Sequence, residues 1–559
     1  MLEALGAACV AFAWLIPNHY PPWLSFYNES CAGLGLALIA AGTLFRKGSV
    51  RVPNATWFVA AIALIPWLQL AAGQLVFSDD AWLSSLYVLA FALAIGVGSA
   101  WMARDPVQAP CYLSWAALFA SLFSSVIALN QAFQLGGFGL WSMDAFAGMR
   151  PYANLAQPNN LATLVAFGFV ALFFLRESGK LSSLSVISFL VLLIPVISAT
   201  QSRTALGYGP LAIVCIWFWR RHGGRFRTTP WEVLGVTACH WLVALSWPAL
   251  QRWALLADQV SIGDRQLQTL RFGVWRVLLD ALLTQPWAGF GWLQVGAAEL
   301  SASGRHEAPI ELFLQAHNIL LDLAIFNGIP IALAIVVAMG YWYVSRLRAA
   351  RTAAAAAGLL MISVLGLHAM LELPHYYAYF LLPIGIWVGV VDYEVRGQAA
   401  FSTRWLLVPA ALASVGFVVL WAGYPRIEDE FRLARFEDLK IRTLPSSAPP
   451  VRNNPSMTSL ISFLAETRRP LTAPLTDAEL RSIKAISERY PYIALLKRRA
   501  ESLAISGRPE EARLAFLRIG QLYGDRMARR VGREIESERL EGLPAAASLE
   551  RALGIDLRR

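Results

Sequence analysis

Charge is what this chain has least of: Asp, Glu, Lys and Arg make up 15% of its 559 residues, against 57% apolar residues and a mean hydropathy of +0.50. A water-soluble fold of this length needs far more polar surface. The apolar residues come in separate blocks near bilayer length, so the sequence predicts an all-α polytopic membrane protein. Cysteine is scarce too. Cys9, Cys31, Cys111, Cys215 and Cys239 sit in or beside apolar blocks, form no CxxC pair and are odd in number, which argues against a disulfide framework or a zinc site. HExxH, a Walker-type glycine loop and GxSxG are all missing, and with them the chemistry of zinc peptidases, ATPases and serine hydrolases. The formal net charge of +10 invites a nucleic-acid reading. The Lys and Arg, however, fall in short inter-helix loops and in the last quarter, with no basic-aromatic face, so no nucleic acid is expected as a partner.

What is present is a series of apolar blocks at residues 2–16, 31–45, 55–72, 83–102, 112–133, 161–175, 184–199, 205–219, 233–250, 319–344, 353–371, 378–391 and 405–422. They predict about thirteen transmembrane helices, several short enough to require tilt or local thinning of the bilayer. The first block follows Glu3 and no Lys or Arg, so it is expected to be retained as a span and not cleaved as a signal peptide. Alternate loops carry the cations, among them Arg46, Arg104, Arg176, Lys180, Arg220, Arg221, Arg346 and Arg348, and are expected to be cytoplasmic; the first two intervening loops hold no Lys or Arg, and the next two hold one each, Arg150 and Arg203. That pattern predicts a bacterial inner-membrane protein whose intervening loops face the periplasm. It comprises a membrane domain over residues 1–424 with a periplasmic insertion at 251–316, and a periplasmic helical domain over 425–559. The last domain opens on the linker LPSSAPPVRNNP, followed by a helix from the capping box Thr476-x-x-Glu479 and a helical hairpin broken at Gly507 and Pro509, which resembles a single tetratricopeptide unit.

Ionisable groups at apolar blocks cost roughly 2.5–3.5 kcal/mol each, so each needs a reason. Arg203 stands in ISATQSRTALGYGP, on the side that otherwise excludes loop cations. His317 stands in IELFLQAHNILLDLAIFNGIP, where the insertion enters a span. Histidine can take and release protons near neutral pH, and Glu311 and Asp322 are candidates to orient its ring or to satisfy nearby helix donors. A third group lies in GLHAMLELPHYYAYFLLP: His368, Glu372, His375 and three tyrosines including Tyr377. The insertion adds Arg265 and Arg271, the latter sharing a helix face with Trp275 at i, i+4. His240 reads as a packed intramembrane residue, and His306 as a loop residue without clustered partners.

These motifs carry a family likeness over nearly the whole chain. WLIPNHYPPWLSFYNE, YANLAQPNNLAT, QSRTAL, RFGVW…QPWAGFG, QAHNILLDLAIFNGIP and HAMLELPHYYAYFLLP together resemble the PglL-type bacterial protein O-oligosaccharyltransferases, the pilin-glycosylating branch of the O-antigen ligase and polymerase superfamily. The last motif departs at two positions from the family's EYPL run, reading Glu372-Leu373-Pro374-His375. The resemblance implies en bloc transfer of a preassembled oligosaccharide from an undecaprenyl-diphosphate carrier to a Ser or Thr hydroxyl of a periplasmic or pilin-like protein, with no cofactor and no metal. It makes His317 the general base and Arg203 and Arg271 the diphosphate-binding arginines. Arg265, Gln157, Asn159, Glu372, Tyr377, Asp322, Glu311 and His368 are then expected on the donor, sugar or acceptor side. Alternatives are an O-antigen ligase acting on lipid A core, an O-antigen polymerase, or a transporter or flippase; the last would predict internal repeats and mid-bilayer charge.

Overall fold

The computed structural model describes all residues except 18, 47–51, 255, 257–265, 307–311, 395–402, 439–453 and 555–559, and the described residues form helices and no strands. The candidates Arg265 and Glu311 lie outside the described residues. In chain order the α-helices are α1 (Leu2–Ala13), α2 (Phe26–Leu44), α3 (Asn54–Ile62), α4 (Ile65–Ala71), α5 (Ser78–Arg104), α6 (Gln108–Phe133), α7 (Pro158–Glu177), α8 (Ser183–Ala199), α9 (Arg203–Arg221), α10 (Pro230–Trp253), α11 (Gln266–Thr284), α12 (Val295–Ala302), α13 (Ile319–Ala349), α14 (Ala353–Ala369), α15 (Ala378–Glu394), α16 (Leu407–Asp438), α17 (Thr458–Arg468), α18 (Asp477–Arg489), α19 (Ile493–Ile505), α20 (Pro509–Tyr523), α21 (Asp525–Leu540) and α22 (Pro544–Leu553). Every apolar block of the sequence is helical, and among the described residues seven segments are long and apolar enough to cross a membrane, so the chain is a helical membrane protein. Three shorter apolar helices, α1, α8 and α14, stand beside them.

Two blocks are interrupted. The third divides into α3 and α4 just before Pro66, which lacks the N–H that would continue the ladder. The tenth is broken inside α13 at Gly328, at φ 76° and ψ 169°. A Cβ there would lie 2.4 Å from the Trp287 carbonyl, so only glycine fits both the dihedral and the space.

Proline within an apolar helix leaves the carbonyl four residues earlier without its usual donor, and inside hydrocarbon such a group needs another. The fold supplies it from neighbouring side chains three times. Pro210 of α9 leaves the Leu206 carbonyl, which accepts from the Trp241 indole of α10 at 3.2 Å. Pro248 of α10 leaves the Ala244 carbonyl, taken by the Gln201 amide at 3.0 Å. Pro330 leaves the Phe326 carbonyl, taken by the Gln69 amide at 2.7 Å.

The chain divides into two compact units. The first comprises Met1–Leu64, Leu86–Asp264 and Val337–Val418. It is a helical bundle with one large apolar core including Trp14, Phe167, Phe380 and Trp387. Small residues let its helices touch: a Cβ on Gly98 or Gly389 would fall about 2 Å from the backbone oxygens of Ile386 and Ile95 respectively.

The second unit comprises Ile65–Ser85, Arg265–Val336 and Val419–Arg559, so the tail shares a compact unit with the described part of the insertion. α18 has the expected capping box at Thr476 and Glu479, and α19 and α20 form the expected hairpin around Gly507. α21 and α22 complete that core through Val531, Ile535 and Leu549. The start of α5 is clamped to the tail. Asp80 is buried against Arg489, N–O 2.9 Å, and also accepts from Gln294 at 2.9 Å, while Asp79 accepts from the backbone and hydroxyl of Ser459 at 3.0 and 2.6 Å.

Candidate active site

His317 takes a left-handed backbone, φ 51°, which costs a non-glycine residue about 1–3 kcal/mol and persists only where its surroundings enforce it. The enforcement is visible on both sides of the residue. The Ala316 carbonyl accepts from the Trp275 indole of α11 at 2.7 Å, and the Ala316 N–H donates to Asp322 at 2.9 Å. On the other side Asn318 caps α13, its side-chain oxygen accepting from the N–H groups of Leu320 and Leu321 at 3.0 and 3.1 Å. Upstream, Phe313 packs edge-on against the His317 ring, centroids 5.3 Å apart, and its N–H donates to Glu299 of α12 at 3.2 Å. Asp322 therefore serves a backbone donor beside His317. The helix face shared by Arg271 and Trp275 is the one that holds this turn, and Arg271 is half-buried one turn from the indole anchor.

Glu299 was not singled out by the sequence. It is 1% exposed, and burial pushes its carboxyl up to about 8 against the single backbone hydrogen bond from Phe313. His306, expected to lack clustered partners, instead lies 3.2 Å from Asp280 of α11, which also pairs with Arg305 at 3.1 Å. A loop histidine and a helix carboxylate 26 residues apart show no pattern in sequence.

In the first unit, Arg203 is half-buried in the first turn of α9. Gln201 before it is left-handed at φ 48°, and Ser202 caps the helix by accepting from the Ala205 N–H. A cation at a helix N-terminus opposes the macrodipole, so this position gains nothing for stability; arginine and dipole together suit an anion. Arg150 joins the same turn, donating to the Gln201 carbonyl at 3.4 Å. The signal that could have found it was its rarity, since Arg150 and Arg203 are the two cations of the short loops on that side.

The remaining candidates form a ladder between α7 and the end of α14. Asn159 donates to the buried Glu372 at 3.2 Å, and one turn further along both segments Thr163 is 2.7 Å from His368 and 2.8 Å from the Tyr208 hydroxyl of α9. His368 is fully buried, so it lies inside the bundle. Gln157 caps α7 through the Asn160 N–H at 2.7 Å, with Pro158 at the first helical position. Tyr377 stacks on Tyr379, centroids 5.1 Å apart. Glu29, the last residue of WLIPNHYPPWLSFYNE and not singled out because its partners are far away in sequence, is buried where it accepts from Trp23, Tyr87 and the Ala378 N–H that starts α15. Among the described residues no three His, Cys, Asp or Glu side chains gather as a metal site.

Comparison with known proteins now bears on this geometry. Residues 188–336, which include Arg203, Arg271 and His317, match the family model described as O-antigen ligase, and residues 355–535 match one described as virulence factor membrane-bound polymerase, C-terminal. A general O-oligosaccharyltransferase of Acinetobacter baylyi is 28% identical over 94% of this chain and 92% of its own length. A ComP-specific O-oligosaccharyltransferase of the same organism is 26% identical over 74% of this chain and 76% of its own. Motifs and matches agree along the length of the chain, which is similar to O-oligosaccharyltransferases over nearly all of it and to the O-antigen ligase model across the segment that holds Arg203, Arg271 and His317.

Proposed function

We propose that this protein is a glycosyltransferase of the bacterial inner membrane that moves a preassembled oligosaccharide from undecaprenyl diphosphate to Ser or Thr hydroxyls of periplasmic proteins such as pilins. The loops that carry His317 and Arg203 face the periplasm in this reading, as the distribution of loop cations requires. The observation that carries it is the strained, triply held turn at His317: a histidine fixed by Trp275, Asp322 and Asn318 is pre-organised for a reaction.

His317 acts as general base, taking the proton of the acceptor hydroxyl as its oxygen attacks the anomeric carbon. The glycosidic bond breaks toward the diphosphate, whose growing negative charge Arg203 and Arg271 stabilise through planar forks. These roles follow the resemblance residue by residue. Asn159, Glu372 and Tyr377 serve the sugar or acceptor, Arg265 is assigned to the donor and Glu311 to the base by the resemblance alone, and Gln157 and His368 act through helix geometry. No metal is required, because the arginines supply the positive charge.

The descriptions of the two matching family models keep a second reading in view, in which the acceptor is a sugar hydroxyl of lipid A core or of a growing glycan. Intact-mass analysis of periplasmic proteins and lipopolysaccharide, from cells with and without this chain, separates the two. Glycan lost from protein alone supports the proposal, and glycan lost from lipopolysaccharide alone overturns it.

A further inference from the structure

Within the first unit, α7, α8, α9, α10 and α14 line a cavity of about 460 Å³ that is open on one side, where Ile187 and Gly235 are exposed; its volume is within the range of ligand sites. Its origin is legible in the residues. α9 presents Ala205, Gly209 and Ala212 to it at i, i+4 and i+7, and α10 presents Gly235, where a Cβ would meet nothing within 4 Å. The walls are apolar, with Phe169 and Phe173 of α7 among them. On α9 the lining runs from Ala205 to Ile216, about 16 Å of helix, and it begins two residues from Arg203. At the far end the lining includes Arg176 and Glu232, paired at 2.8 Å, on the side that the loop charges assign to the cytoplasm.

A second observation is independent of shape. His240 of α10 lines the cavity and is 5% exposed, yet among the described residues its ring makes no hydrogen bond. A buried imidazole N–H needs something to point at. A saturated chain offers nothing, whereas a chain with regularly spaced double bonds offers π electrons to an N–H.

We propose that this cavity holds the isoprenoid chain of the lipid-linked donor, so that the enzyme grips the donor along its hydrocarbon as well as at its diphosphate. The inference rests on the proposed function and names the part of the first unit that takes the lipid. α9 then reads as a single donor element, cationic at its first residue and relieved of bulk along the face below. The Thr163, Tyr208 and His368 chain forms part of its wall through Tyr208, which joins the donor side to the residues around Glu372.

The test is to fill the cavity. Gly235→Leu and, separately, Ala212→Phe in the full-length protein add bulk where the structure has room; Gly235→Leu also removes a helix-interior glycine and should not weaken the fold. Each variant is assayed with two oligosaccharide donors, one carrying a full-length polyprenyl diphosphate and one carrying a chain of two isoprene units. The wild type and both variants are also photolabelled with a diazirine-tipped polyprenyl diphosphate, in competition with phosphatidylethanolamine. The expected result is a KM for the long donor raised roughly tenfold or more, the loss of about two buried methylene contacts, with an unchanged KM for the short donor. The label should fall on α9 and α10 in the wild type and be lost in the variants.

Wild-type KM for the long donor with the cavity filled, or a label displaced by phosphatidylethanolamine as readily as by polyprenyl diphosphate, would overturn the chain site and leave the activity standing. A wild type that labels in the cavity but transfers glycan from neither donor would overturn the proposed activity instead.

Discussion

The turn that carries Arg203 and the turn that carries His317 are built to one local plan and use it differently. In each, a left-handed residue precedes a polar cap that opens a helix: Gln201 and Ser202 before α9, His317 and Asn318 before α13. The same plan recurs at Ala156 and Gln157 before α7. Before α9 the left-handed residue is structural, its amide spent on the Ser198 and Ala244 carbonyls, and the residue proposed to meet the diphosphate is the first helical one, beside the helix's first N–H groups. Before α13 the left-handed residue is itself the proposed base, set off the helix end in a turn held by Trp275 and Asp322. A cation gains from standing with the helix donors over an anion. A base gains from standing clear of them.

The comparison predicts distinct failures. His317→Ala removes the base and leaves the cap intact, so transfer should fall by on the order of 10² to 10⁴ while donor affinity stays near wild type. Single-turnover transfer and equilibrium donor binding check this together, and an equal loss of both would make His317 a binding residue. Arg203→Ala should cost on the order of 10² to 10³ in turnover and weaken donor binding, with Arg203→Lys recovering only part because an ammonium lacks the bidentate fork. Full rescue by lysine would reduce Arg203 to a point charge.

Trp275→Phe keeps the ring and loses the N–H that holds the Ala316 carbonyl. Turnover should fall roughly tenfold with KM unchanged, since it is only the base that moves. If donor KM changes and turnover does not, the turn is not what Trp275 positions. The smallest effect should come from Glu299, which holds the same segment through Phe313. With its carboxyl at about 8 in the fold and near 4.5 when unfolded, the folded state binds the extra proton. Its contribution to stability is complete below about 4.5 and is lost as pH rises through about 8. Thermal unfolding should therefore show a melting temperature that drops between pH 6 and pH 9 in the wild type and drops less in Glu299→Gln.

Much of this was legible beforehand because it is local. Apolar blocks became helices, Thr476 with Glu479 became a capping box, and the i, i+4 spacing of Arg271 and Trp275 became one face above the histidine turn. What escaped was long-range pairing of ordinary residues. Glu29 meets Ala378 across 349 positions, and Asp80 meets Arg489 across 409. No period or motif encodes such a pair, because each partner alone reads as a helix-end carboxylate or a surface arginine. Asn154 is similar: it is fully buried and ties the Leu15 and Trp141 carbonyls and the Met143 N–H together, yet stands within a motif whose neighbouring Gln157 drew the attention.

The proline at position 248 has a mechanical consequence. By freeing the Ala244 carbonyl it gives Gln201 something to hold, and Gln201 is the residue on which the Arg203 turn pivots. α10 is also a wall of the lipid cavity, so the wall and the cationic turn are linked in series through one amide. A displacement of α10 is delivered to the backbone two residues from the guanidinium. Restoring an N–H at position 248 would offer the Ala244 carbonyl a donor within its own helix, and the tether would slacken although both helices remained whole.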